Sequence, residues 1–179
     1  MIFNDMRIFL VIFLLQSFVM LGYAQVTNPV TIEEKAVKYF CDQVLITETL
    51  INQFKIQFDG ATNGIPSKVY DVANCLGHIN LIKDSIPNKI YLDSLEQEFS
   101  QRERTVIRIN AGCGQLSKRF LFKRSGYRLY LYNAIEYNGI YCVEFFLANR
   151  GNSTYTIIVT LDKNLVPLSY CIKAIKYEV

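Results

Sequence analysis

"YRLYLYNAIEYNGIYCVEFFLANRGNSTYTIIVTLDKNLVPLSYCI", residues 127–172, is the stretch whose reading decides the fold. Strong strand formers fill it, and turn residues interrupt it at 138–139, 149–152 and 162–164, spacings that suit a meander of antiparallel hairpins. Asn138 and Gly139 mark the clearest turn, because a type I′ turn needs two positive φ angles and these two residue types accept them at little cost. With that turn, Tyr132 is expected opposite Phe145 and Tyr130 opposite Leu147. A tip at Lys163 and Asn164 places Val159 opposite Leu168 and Ile157 opposite Tyr170, which leaves Thr154, Thr156 and Thr160 as a solvent-facing row.

The central hairpin is apolar on both sides. Tyr130, Tyr132, Tyr141, Val143, Phe145 and Leu147 form one face; Leu129, Leu131, Ile135, Ile140, Cys142 and Phe146 make the other nearly as apolar. Both faces therefore need cover, one from helices and the other from a curled sheet, a partner chain or a ligand.

Working outward, Thr31 with Glu34 forms a capping box, and Ala36, Val37, Phe40, Val44 and Leu45 recur at helical spacing, so a first helix is expected from Ile32 into the mid-forties. Phe54, Ile56 and Phe58 alternate with polar neighbours as a half-buried strand, ended by a loop at "DGATNGIP". Val69, Val72, Ala73 and Leu76 predict a second helix stopped by Gly77, and Tyr91, Leu92, Leu95 and Phe99 a third that ends near Arg102. "TVIRI", residues 105–109, opens the strand region.

The reading is an α+β architecture: N-terminal helices packed on a C-terminal antiparallel β-meander of about five to six strands. That element order is similar to cystatin-like and nuclear-transport-factor-like folds, a resemblance that implies a sheet curled around a pocket. No motif carries it, so no residue role transfers from it.

The first residues set the expected compartment. A short basic start with Arg7 precedes an apolar run, residues 8–24, and Gly22 and Ala24 occupy the small-residue positions of a signal-peptidase site. Residues 1–24 are read as a signal peptide cleaved between Ala24 and Gln25; an uncleaved anchor is the alternative, since about 17 apolar residues is the lower limit for a span. Residues 25–179 are then a single exported domain, periplasmic or extracellular. Five cysteines survive cleavage, which in an oxidising compartment allows two bridges and one leftover thiol.

Charge is unevenly spread. Residues 31–100 carry ten acidic and six basic side chains, whereas residues 101–128 carry eight basic and one acidic. Within "KRFLFKRSGYRLYLY", residues 118–132, the basic set Lys118, Arg119, Lys123, Arg124 and Arg128 is the candidate binding surface. In an exported protein its partner would be an anionic glycan, a lipid headgroup or an acidic protein surface, not nucleic acid. As a strand the same stretch places cations at the rims of an apolar middle, as an ordinary hairpin does.

Candidate chemistry is sparse. Cys75 and His78 supply half of a metal set, and zinc needs four ligands at fixed geometry, so no metal is assigned. Cys113 in "AGCGQ" with His78 as base is a nucleophile reading that no signature supports. Glu96 and Glu98, two apart on a helix, point away from each other. Glu144 faces Asn133 across the central hairpin; a carboxylate in that apolar row would have a raised pKa and could act as an acid or base, or sit at an edge in water. No cofactor motif occurs. The sequence favours a small exported binding or interaction domain of unknown ligand, with an anionic one as the candidate the basic set offers. The alternatives are a small secreted enzyme around Glu144, or a structural subunit of an envelope assembly whose apolar sheet face is covered by a second copy or another subunit.

Overall fold

The computed structural model describes residues 30–81, 89–117, 126–149 and 153–176. Residues 1–24, read above as a signal peptide, and Lys118, Arg119, Lys123 and Arg124 of the cationic set, lie outside the described residues. From Thr31 onward the chain forms one compact unit.

Helix α1 (Ile32–Tyr39) starts at the expected capping box. Thr31 Oγ1 accepts from Glu34 N at 3.1 Å, and Glu34 Oε2 accepts from Thr31 N at 3.2 Å. It runs on through a π-helical turn, Phe40–Val44, and a last α-turn, Leu45–Thr47. Helix α2 is Val69–His78 and α3 is Lys89–Ser100. Gly77 does not stop α2. The left-handed residue is Asn80 (φ 54°), whose polar side chain tolerates that conformation.

The strands are β1 (Ile56–Gln57), β2 (Thr62–Pro66), β3 (Leu116–Ser117), β4 (Tyr127–Asn133), β5 (Ile135–Tyr137), β6 (Ile140–Ala148), β7 (Ser153–Leu161) and β8 (Pro167–Lys176). They form one sheet in the order β3-β1-β4-β6-β7-β8, with β2 beside β4 and β5 beside β6. The meander β4 to β8 is antiparallel, as expected. The other edge differs: β1 and β2 pair with β4 in parallel, and so does β3 with β1. "TNGIP" is therefore a strand and not a loop. Gly64 takes φ +76° there, and residues 105–109 are not a regular strand but a segment tied beside β2 by Thr62 N to Ile107 O and Ile109 N to Gly60 O, both 2.9 Å.

Two registers shift from expectation, each at an irregularity. The turn at Asn138 (φ 51°) and Gly139 (φ 76°) has both positive angles and sets Ile135 opposite Cys142. Between β5 and β4, however, the extra residue Ala134 bulges, so Tyr130 meets Phe146 and Leu131 meets Phe145. The bulge is held from outside the sheet, because Ala134 N donates to Oε1 of buried Glu33 at 2.9 Å. In the last hairpin the loop is wider than two residues. Asp162 Oδ1 accepts from Asn164 N and Val166 N, Leu165 turns left-handed (φ 60°), and a bulge at Thr160 and Leu161 moves Val159 opposite Tyr170 and Ile157 opposite Ile172. That shift of two residues preserves which face each side chain occupies.

Helices cover both faces. α1 and its π-turn bury Ala36, Val37, Phe40 and Val44 against Leu129, Leu131, Phe145, Ile157 and Val159, with Phe40 stacked on Phe145 at 4.6 Å. α2 and α3 bury Val72, Leu76, Leu92 and Phe99 against Ile135, Tyr137, Cys142 and Ile158 on the opposite face. The threonine row consequently points into cover, not solvent: Thr154, Thr156 and Thr160 are all buried. Two disulfides staple this arrangement. Cys41–Cys113 links the π-turn to the segment before β3, and Cys75–Cys171 links α2 to β8. Cys142 is the free, buried thiol.

Candidate functional site

Glu144 lies on β6 opposite Ile158 of β7, on the face that α2 and α3 cover, and has no solvent exposure. It is not at a wet edge. Asn133 is not its cross-strand partner either, because the bulge interposes Ser67: Glu144 N donates to Ser67 Oγ at 3.0 Å, and Ser67 Oγ donates to Asn133 O at 3.0 Å. Glu144 Oε2 accepts from Lys68 N at 2.9 Å, and its Oε1 has no hydrogen-bond partner.

Next to it, Val69 N donates to Glu96 Oε2 of α3 at 2.8 Å, so two carboxylates from different elements occupy the free N–H groups that begin α2. Asp71 sits in the first turn of that helix. Glu96 and Glu98 do diverge, the latter pairing with Arg102 at 3.1 Å. Burial pushes Glu144 up to about 7, with the negative charges of Asp71 and Glu96 adding to the rise and the Lys68 N–H and ammonium opposing it. Half-buried Tyr132 is raised too, by burial first and then by Glu144. As placed, Glu144 is a buried anchor for the start of α2, capable of holding a proton near neutrality; neither of the clefts described next includes it among its walls.

The first cleft runs between α2 and strands β7 and β8, with a volume of about 350 Å³. Asp71, Asn74 and His78 reach it from one helix stripe, at spacings of three and four residues that put them on one side of α2. Thr156, Ile158 and Lys173 reach it from the sheet, and the Cys75–Cys171 bridge ties the walls together. Lys173 Nζ stands 4.0 Å from Asp71 Oδ1. The second cleft, about 490 Å³, lies between α1, with Lys35 and Lys38, the π-turn, with Asp42, and the loop 164–167.

Of the cationic set, Arg128 alone is described. It is exposed, and its guanidinium lies 5.3 Å from the centroid of Tyr130. Cys113 and Cys75 are both bridged, which withdraws the nucleophile and the half-metal readings that used them. Among the described residues no group of three or more His, Cys, Asp or Glu is placed to hold a metal, and no helix is long and apolar enough to cross a membrane. The first cleft escaped sequence reading because Lys173 and Asp71 are 102 positions apart, and five cysteines in a sequence do not say which of them pair. Comparison with family models, with curated proteins and with solved structures gives no match to this chain.

Proposed function

We propose that this is an exported binding domain, cleaved between Ala24 and Gln25, whose ligand sits in the cleft between α2 and β7–β8. The observation that carries this reading is the cleft's make-up: Asp71, Asn74, His78, Thr156 and Lys173 converge on an apolar patch at Ile158. A few polar groups fixing orientation over an apolar floor, in a volume near the lower end of about 300–1,000 Å³, is the usual composition of a small-molecule site. The bridge through its walls makes it rigid before a ligand arrives, which limits the ordering cost of binding. Export is supported by the two cysteine pairs, since such bridges persist in oxidising compartments.

A second reading, an anionic glycan or lipid headgroup, is favoured by Lys35 and Lys38 on one wall of the other cleft, with exposed Arg128 elsewhere on the surface. One experiment separates the two. Thermal-shift screening of a small-metabolite library should yield stabilising compounds for the intact protein, and Asn74→Trp, which fills the first cleft, should abolish them. Retention on heparin that falls in a Lys35→Gln/Lys38→Gln variant, with the library inert, would transfer the function to the second cleft. Hits indifferent to Asn74→Trp would remove the first reading.

A further inference from the structure

Resting on the reading of the α2–β8 cleft as the binding site, we propose that its ligand is a small zwitterion, a free amino acid or a molecule of that charge pattern, with its ammonium against Asp71 and its carboxylate against Lys173. Three features carry this choice. The cleft presents one anion and one cation facing each other, 4.0 Å apart, with side-chain exposures of 25% and 64%. An ion pair that long and that wet contributes about 0–1 kcal/mol, so the fold does not depend on it and it opens at little cost. A ligand carrying both charges replaces one long contact by two short, charge-assisted hydrogen bonds.

The sign of the surroundings excludes the simpler ligands. Glu96 lies behind Asp71 at the start of α2, where Lys68 and the helix dipole offset part of that charge. An anion alone meets that negative end. A cation alone leaves the Lys173 ammonium facing the bound charge across a few ångströms. Only a ligand with opposite charges at its two ends matches both. Asn74 and Thr156 add uncharged hydrogen-bonding groups between the ends, and Ile158 supplies an apolar contact for a short side chain.

The test uses the disulfide-intact protein and heteronuclear NMR titration with glycine, L-alanine, L-glutamate, ethanolamine and acetate. Saturable shifts centred on Asp71, Asn74 and Lys173 are expected with the amino acids. Ethanolamine and acetate, which carry one charge each, should bind about tenfold more weakly or worse, the loss of one charged hydrogen bond. Asp71→Asn should weaken amino acids and ethanolamine together, whereas Lys173→Gln should weaken the amino acids and strengthen ethanolamine, whose charge no longer faces the Lys173 ammonium. Both side chains reach solvent, so neither substitution threatens folding, and a control at exposed Lys55, Lys55→Gln, which lines neither cleft, should change nothing. Acetate or ethanolamine binding in the cleft as tightly as the amino acids would overturn the zwitterion assignment while leaving the cleft as the site. No saturable shift with any of the five, together with library hits that Asn74→Trp abolishes, would do the same. No shift and no such hits would overturn both.

Discussion

At Glu144 the fold holds a carboxyl group that does better protonated. Its pKa rises from an ordinary 4.5 to about 7 because burial penalises the anion more than the single Lys68 N–H supports it. The folded protein therefore binds a proton more tightly than the unfolded chain does. This group's contribution is fully present below pH 4.5 and is lost as pH rises through 7. The difference is about 3 kcal/mol at one pKa unit per 1.36 kcal/mol. Glu144→Gln retains the acceptor for Lys68 N and cannot ionise. It should equal the parent near pH 4.5, exceed it by up to about 3 kcal/mol at pH 8, and flatten the slope between. Urea unfolding across that range is the measurement; a variant less stable than the parent at pH 8 would mean that the carboxylate is satisfied by something other than Lys68. That Glu144 is unusual was readable from its place in an apolar row. Its role at the start of α2 was not, because Lys68 is 76 positions away.

At the level of elements, the turns were legible and the pairings across them only partly so. Asn138 and Gly139 fix their own turn by local φ preference. The bulge one strand earlier depends on Glu33, 101 positions from Ala134, and no local pattern announces it. The parallel strand β2 hid for the opposite reason: glycine and proline in "TNGIP" argue for a loop, and its partner in β4 is more than sixty residues on. Two glycines with the same φ of +76° test how far context matters. A Cβ on Gly139 would meet nothing within 4 Å, whereas one on Gly64 would lie 3.2 Å from Val106 Cγ2. Both alanine variants bear the left-handed strain, about 1–3 kcal/mol. Gly64→Ala should lose more than Gly139→Ala, because the segment 105–109 must also move away. Comparison of urea midpoints decides it, and equal losses would show that this segment yields freely.

Across the whole molecule, the two bridges tie the cover of each sheet face to the rest of the chain. Cys41–Cys113 anchors the helical turn over one face, and Cys75–Cys171 anchors α2 over the other, closing loops of 72 and 96 residues. In the chain-entropy account, loops of that length are each worth about 4–5 kcal/mol by restricting the unfolded state. Cys41→Ala/Cys113→Ala and Cys75→Ala/Cys171→Ala should each lower the unfolding free energy by that order in urea unfolding, with the second also weakening binding of the proposed ligand because it frees a cleft wall. The number of free thiols reports the compartment. Burial lifts the Cys142 thiol to about 12, so it should stay unreactive toward alkylating agents at pH 8 until the protein unfolds. If export is as proposed, protein taken from its native compartment should lack its first 24 residues, take up no alkylating groups when folded, and take up one when denatured without reductant. A mass that retains Met1 and gains five groups on denaturation would place this chain in a reducing compartment, and the bridges, the rigid cleft and the proposed export would fail together.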